Sequence, residues 1–355
     1  MIPGLDDPAA LSAGDPSGML EAFGRTGEQL DEAYRGAREA RVPPGGEARS
    51  VAICAMGGSA AAGDIVAAAS NGHVRVPVSV VRGYRLPAAV GPQDLVACVS
   101  YSGDTEETLA AHAEAVTRGA AAVAICSGGE LARRAEEAGT PVVRIPGSAP
   151  VPRAGLGELV GGLLGVLVAA AAIPATDPEV DEAARILESA AREQGPETPV
   201  ADNEAKQIAE WVGDRIPIVW GSEGISSAAA WRWKTAFNEN AEVPAFASAL
   251  PELDHHEVVG WTGDRGKGFR LVVLREGGEH PRVQARLDAT LEEVAGSSLE
   301  WREVRAGGTS SLTRAMTLAL AGDLTTAYHA LSRGIDPAAM TALVRIKDRL
   351  RGGSR

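Results

Sequence analysis

Aromatic side chains make up only 4% of this chain. So few rings cannot build an interior around aromatic clusters. Ala and Gly are frequent instead, which favours close-packed helices and tight turns. Lys and Arg (34) are outnumbered by Asp and Glu (47), leaving a net charge of −13. That excludes a general nucleic-acid binder, because phosphate backbones need clustered cations. A small anionic ligand needs only a local site and is not excluded. Cysteine is scarce too: Cys54, Cys98 and Cys126 each sit in an apolar run. An odd number without C-x-x-C spacing argues against a disulfide framework and a zinc site, and fits a reducing compartment such as the cytoplasm. Long hydrophobic runs are missing as well. The richest, residues 159–173, is shorter than a membrane span and bracketed by Glu158 and Pro174, so it is expected to be a buried helix. The first 14 residues are acidic and contain proline, unlike a signal peptide.

Three motif families are also absent. Gly58 to Gly63 has P-loop spacing, but Asp64 and Ile65 stand where Lys and Ser/Thr would be needed, and a carboxylate there repels phosphate. No G-x-G-x-x-G follows the first strand. No H-E-x-x-H or paired-His spacing occurs, and the adjacent His255 and His256 do not face one metal together.

What is present is α/β alternation. At 355 residues the chain is long enough for two domains. Residues 7–41 carry helical spacing at Met19, Leu20, Phe23, Leu30 and Tyr34, stopped by Pro43-Pro44-Gly45-Gly46. Strands are expected at 50–56, 76–81, 95–100, 121–126 and 141–145, with helices at 60–70 and 105–118 between them. That repetition makes a parallel sheet with helices on both faces. The stretch 147–152, rich in Gly and Pro, reads as a linker between domains 1–150 and 151–355. After a long helical region, 183–212, a second unit follows with strands at 216–220, 270–274 and 299–304. Gly221-Ser222-Glu223-Gly224 echoes Gly57-Gly58-Ser59, a faint sign of duplication. Helices at 310–322, 324–332 and 337–350 close the chain, and Gly352 to Arg355 is expected to be frayed.

Two polar regions carry chemistry. The first is Ser100-Tyr101-Ser102-Gly103-Asp104-Thr105, a hydroxyl-rich turn between an apolar strand and a helix. Helix N-termini present N–H groups to anions, and Ser100, Ser102 and Thr105 would add O–H donors: a phosphate cradle. Asp104 with Glu107 also has the spacing of a capping box. Ligands in parallel sheets sit past the carboxyl ends of strands, where Gly57-Gly58-Ser59 lies as well. The second region runs from Asn238 to Trp261, interleaving carboxylates and imidazoles with Pro, Phe, Leu and Trp. A carboxylate half-buried among apolar groups can act as a base near neutral pH, and histidine can move a proton there.

The chain resembles the bifunctional phosphoglucose/phosphomannose isomerase family of the sugar isomerase (SIS) fold. The resemblance rests on Met56-Gly57-Gly58-Ser59-Ala60, Tyr84-Arg85-Leu86-Pro87, Ser100-Tyr101-Ser102-Gly103 with Thr105-Glu106-Glu107-Thr108-Leu109, and Pro152-Arg153-Ala154. It continues through Asn238-Glu239-Asn240-Ala241, Val243-Pro244-Ala245-Phe246, Leu250-Pro251-Glu252-Leu253 with His255, and Gly334-Ile335-Asp336-Pro337 with Lys347. It implies two SIS domains, each a doubly wound, flavodoxin-like parallel sheet, in a homodimer.

By the same resemblance Gly58, Ser59, Ser100, Ser102 and Thr105 form the sugar-phosphate cradle. Glu239 is the base that shuttles a proton between C1 and C2. Arg153 is the cation beside the developing enediolate. His255, supplied by the neighbouring subunit, and Lys347 on the last helix help open the sugar ring. The implied substrate is glucose 6-phosphate, with mannose 6-phosphate as a possible second. The route requires no metal or organic cofactor. Three positions depart from the family pattern: Asp104 replaces Asn, Ala55 replaces Gly, and the family's D-P-T-P run reads Asp336-Pro337-Ala338-Ala339, followed by Met340. That run normally supplies a hydroxyl tied to the use of both epimers. A second reading, a catalytically weak or silent sugar-phosphate-binding regulator, is favoured by these departures. The intact Glu239, His255, Arg153 and Lys347 favour the enzyme. A third, an amino-sugar phosphate isomerase or deaminase, lacks an N-terminal nucleophilic Cys.

Overall fold

The computed structural model describes residues 4–45 and 47–352. Gly46, Met1 to Pro3, and the end expected to be frayed, apart from Gly352, lie outside the described residues. Five parallel strands form the first sheet: β1 (Val51–Cys54), β2 (Val78–Val81), β3 (Leu95–Val99), β4 (Ala121–Cys126) and β5 (Val142–Arg144). Their order is β2-β1-β3-β4-β5, so the direction of winding reverses between β1 and β3. Four strands form the second: β6 (Ile216–Ser222), β7 (Phe246–Leu250), β8 (Phe269–Arg275) and β9 (Glu300–Arg305), in the order β7-β6-β8-β9. The second sheet thus repeats the first four positions of the first, which supports the duplication that the glycine turns hinted at. β7 was not expected from the sequence. It is an edge strand, mostly half-exposed, and Phe246–Leu250 shows no apolar alternation.

The helices in chain order are α1 (Pro8–Gly14), α2 (Met19–Gly24), α3 (Thr26–Arg38), α4 (Gly57–Ser70), α5 (Glu106–Thr117), α6 (Gly129–Glu137) and α7 (Leu156–Ala169). Then come α8 (Asp177–Glu193), α9 (Glu204–Val212), α10 (Ile225–Asn240), α11 (Val258–Trp261), α12 (Pro281–Ala295), α13 (Ser311–Leu331) and α14 (Thr341–Gly352). Alternating strand residues divide the burial. Val51, Ile53, Leu95, Ala97 and Val123 face a core shared with α3, α4, α7 and α13. Ala52, Val96 and Ala124, with the three buried free thiols, face α5 and α6. A parallel sheet covered on both sides needs such near-continuous apolar strands.

The apolar stretch read as a buried helix is α7. Its glycines let it approach α3 at backbone distance: a methyl on Gly161 would lie 2.2 Å from the Leu30 carbonyl oxygen. Among the described residues, no helix is long and apolar enough to cross a membrane. Although α7 lies beyond residue 150, it packs on α3 and α4. We therefore propose the division near 150 as a division of sheets, with α7 covering the first.

The helices expected at 310–322 and 324–332 are one helix, α13. Gly322 read as a break because it weakens an isolated helix. In the fold it is a contact point, since a methyl there would lie 2.5 Å from the Trp233 ring. α13 is buried along nearly its whole length. Leu312, Met316 and Leu320 enter the core of the first sheet, while Leu318 and Ala321 enter that of the second. Gly322→Ala is expected to cost about 1–3 kcal/mol by overpacking, measured by denaturant unfolding. A cost under about 0.5 kcal/mol would mean that α10 and α13 separate easily.

Candidate functional site

The turns after β1 and β3 lie side by side at the carboxyl ends of neighbouring strands. This is the switch point, where open α/β sheets bind ligands. The first N–H groups of α4 and α5 have no intrahelical acceptor and point into this corner. Neither helix has a side-chain cap. The Ser59 hydroxyl oxygen accepts the Tyr101 N–H at 3.3 Å, and that of Ser102 accepts the Asp104 N–H at 3.3 Å. Each therefore keeps its O–H to donate elsewhere. Ser100 and Thr105 hydroxyls pair at 2.9 Å, and Ser100 Oγ accepts the Gly103 N–H at 3.1 Å. Thus Ser59, Ser100, Ser102 and Thr105 are brought together, two with an O–H still free to donate and two as braces of the turn. Below them Glu158, fully buried, accepts N–H bonds from Gly147 (2.5 Å) and Ser148 (3.0 Å) and holds the following loop.

Asp104 does not cap its own helix. Its Oδ1 accepts the Glu130 N–H at 3.0 Å, at the N-terminus of α6. The carboxylate is thereby matched to the positive end of a different helix dipole. The capping box with Glu107 is not formed, since Thr105 is the residue at the N-cap of α5. Asp104→Ala is expected to lower stability by about 1 kcal/mol, the usual worth of a cap. Asp104→Asn, which keeps an acceptor, should change the KM for a sugar phosphate by less than about twofold. A large fall in KM for Asp104→Asn would show that the charge reaches the cradle after all.

Arg153 joins this corner to the second polar region. It sits in a 3-10 turn, Pro152–Ala154, and is 3% exposed. Gly58 packs against its backbone: a methyl there would lie 3.3 Å from Arg153 Cα. Its Nε donates to Asn240 Oδ1 at 2.7 Å, and its Nη2 to the Pro337 carbonyl at 2.5 Å. Burial lowers the pKa of the guanidinium, and the nearby Glu239 carboxylate works the other way. Glu239 is half-buried on the last turn of α10 and makes no hydrogen bond among the described residues. It lines a recess of about 710 Å³ with Val243, Pro244, Met340 and Leu343. That volume suits a small metabolite, and the lining is mainly apolar. Met340, which follows the departed run, faces the same recess.

His255 and Lys347 are placed differently. His255 is exposed on a 3-10 turn, Glu252–His255, and does not line the recess. Lys347 is exposed on α14, whose first residues do line it. Within one chain Arg153 links Glu239 on one side to Gly58, at the hydroxyl-rich corner, on the other, and His255 and Lys347 lie apart.

Sequence reasoning gave no role to Asn240, nor to Arg232, Asp323 and Thr326, which surround Arg153. Arg232 donates from Nη2 to the Arg153 carbonyl (2.7 Å) and from Nε to Asp323 Oδ1 (2.8 Å), with both side chains sealed from solvent. Burial is the main cause that raises the Asp323 pKa, to about 6, against the pull of Arg232. The one available signal was a set of polar residues, Asp323 and Thr326 among them, inside the Ala- and Leu-rich run 315–331.

Two family models match the chain: SIS domain over residues 47–151, and bacterial phospho-glucose isomerase C-terminal SIS domain over residues 201–350. It is 32% identical over 335 residues to a bifunctional phosphoglucose/phosphomannose isomerase of Caldicellulosiruptor bescii, covering 94% of this chain and 98% of that one. A protein of the same name from Aquifex aeolicus is 32% identical over 306 residues, covering 85% of this chain and 91% of its own length. In fold it is similar to a hypothetical protein from Thermus thermophilus, with TM-score 0.76 at 18% identity, covering 98% of this chain and 94% of the other.

Proposed function

The chain belongs to the bifunctional phosphoglucose/phosphomannose isomerase family, and on that footing we propose that this sugar-phosphate isomerase interconverts glucose 6-phosphate and fructose 6-phosphate through a cis-enediolate. The observation that carries the reading is Glu239, half-buried at the recess beside the sealed cation Arg153. Aldose–ketose exchange removes a weakly acidic proton next to a carbonyl, so a positioned carboxylate is the base it needs. Glu239 takes the proton from C2 or C1 and returns it to the other carbon. Negative charge builds on oxygen meanwhile, and a fixed guanidinium stabilises it where it develops. Arg153 has one nitrogen for this, Nη1, which has no partner among the described residues and is not among the sealed unpartnered atoms. Gly58, Ser59, Ser100, Ser102 and Thr105 hold the phosphate.

Ring opening is assigned to His255 and Lys347, with His255 arriving from a second copy in a homodimer. Two features support that arrangement. His255 is exposed away from its own recess, and α14 exposes Leu343, Val344, Ile346 and Leu350 by 43–58%. Four such residues on one helix need a cover. A cytoplasmic setting accords with three free, buried thiols. Mannose 6-phosphate is proposed as the poorer substrate, because Ala338 stands where the family's run has its hydroxyl, and the adjoining Ala339 and Met340 line the recess with Glu239. The regulator reading leaned on Asp104, whose charge is accounted for at α6, and on the altered run 336–339.

One assay tests the proposal. Fructose 6-phosphate is supplied and glucose 6-phosphate formation is followed by coupled reduction of a nicotinamide. Turnover is expected, with slower turnover of mannose 6-phosphate. A wild type that binds the sugar phosphate without converting it would overturn the isomerase reading.

A further inference from the structure

The side chain that meets the developing charge is not free to choose its own orientation. Thr326 on α13 donates its single hydroxyl hydrogen to the Gly322 carbonyl, 2.9 Å away, with the Asp323 carbonyl at 3.1 Å. Its oxygen is therefore left as an acceptor. The Asn240 amide nitrogen, 2.9 Å away, is the donor that meets it. That fixes which way the amide points: its oxygen faces Arg153 Nε at 2.7 Å. With Nη2 on the Pro337 carbonyl at 2.5 Å, two of the three guanidinium nitrogens are immobilised. The plane is set, and Nη1 alone remains for a ligand. Arg232, neutralised by Asp323, holds the backbone of the same residue through the Arg153 carbonyl.

We infer that Asn240 and Thr326 are positioning residues that aim Arg153 Nη1 at the oxygen on which charge develops. The inference rests on the proposed isomerase reading, in which Arg153 faces that oxygen. A mere brace would lose stability when cut. A positioning relay would lose selectively the recognition of charge at the reacting end of the substrate. Neither Asn240 nor Thr326 touches the sugar in this scheme, so neither is a catalytic residue.

The test uses two ligands of equal phosphate content. A five-carbon aldonic acid 5-phosphate puts a carboxylate where the enediolate would form. Glucitol 6-phosphate carries the same phosphate and hydroxyls without that charge. Affinities are measured by calorimetry for wild type, Thr326→Val and Thr326→Ser, with kcat and KM for fructose 6-phosphate alongside. Valine keeps the shape and removes the hydroxyl, so the amide nitrogen loses the acceptor that holds it and the amide can shift. Thr326→Val is expected to weaken the aldonate by about tenfold or more while moving glucitol 6-phosphate by less than about twofold, because small misplacements of a fixed group cost that much. The kcat should fall by a similar factor at near-constant KM, and Thr326→Ser should restore both. Asn240→Ala should give the same contrast, and serves if Thr326→Val unfolds. Equal weakening of both ligands, no weakening, or no rescue by serine would overturn the positioning role. The selective loss with serine rescue, in a wild type that does not turn over fructose 6-phosphate, would support the positioning role and overturn the isomerase reading alone.

Discussion

Glu239→Gln is expected to reduce turnover of fructose 6-phosphate by at least about a hundredfold, the usual scale for general acid–base catalysis. Glutamine keeps the size and the half-buried place at the end of α10, but it cannot accept a proton from carbon. The KM should change little, since the proposed phosphate site lies at the other corner, at Ser59 and the turn after β3. Loss should appear equally in both directions, because one group takes and returns the proton. Coupled assays in each direction, with circular dichroism to verify folding, check this. Wild-type turnover in Glu239→Gln would remove Glu239 from the mechanism. A large KM change with constant kcat would make it a binding group instead.

The second large effect concerns the sealed pair behind Arg153. Arg232 and Asp323 are 0% and 1% exposed. Removing one partner of a buried pair typically costs about 3–5 kcal/mol. The two halves are not equivalent. A carboxyl left alone can take up a proton, whereas a guanidinium cannot give one up. Asp323→Leu is therefore expected to destabilise by about 3–5 kcal/mol, and Arg232→Met by less. The double variant should be more stable than Asp323→Leu alone, because no uncompensated charge remains. Urea unfolding of the four proteins measures this. Additive losses in the double variant would refute the coupling.

The pair also sets a pH dependence with a definite sign. The folded Asp323 carboxyl, raised by burial to about 6, holds its proton more tightly than the unfolded carboxyl near 3.8. The folded state thus binds more protons between those values, and stability falls as pH rises through that window. Above it the full cost of ionising Asp323 is present. Asp323→Leu should lose this component of the slope while keeping that of the surface carboxylates.

Much of the fold was legible because parallel strands are apolar on both faces. β1, β3 and β4 stand out as such runs. β7 did not, since Phe246 to Leu250 lies at an edge and carries no clean period. Gly322 misled because propensity is local, whereas its role is contact with Trp233 from another helix. The clustering of Ser59, Ser100, Ser102 and Thr105 could be read from hydroxyls at strand ends. The fate of Asp104 could not, because its partner lies 26 residues away on α6. Arg153 is one arginine among many in sequence, and only motif resemblance singled it out. Its supports come from 86 and 87 residues apart along the chain, across Asn240. No local pattern encodes such a relay. The placement of His255 and Lys347 relative to Glu239 was not legible in a single chain, because the proposed site takes His255 from a second copy.

A single rod, α13, runs through the cores of both sheets. Two α/β units joined by a linker would be expected to hinge about it and close over a ligand. Here a hinge would tear Leu320 from one core or Leu318 from the other, so the two halves are expected to move as one body. Access to Glu239 must then come from the rim, where Arg153 holds the Pro337 carbonyl and α14 lies outside both cores. In hydrogen exchange the amides of α13 would open only with the whole molecule, and those of α14 far sooner. Any opening toward Glu239 is therefore expected at the last turn and helix, and covering α14 with a second copy would close it.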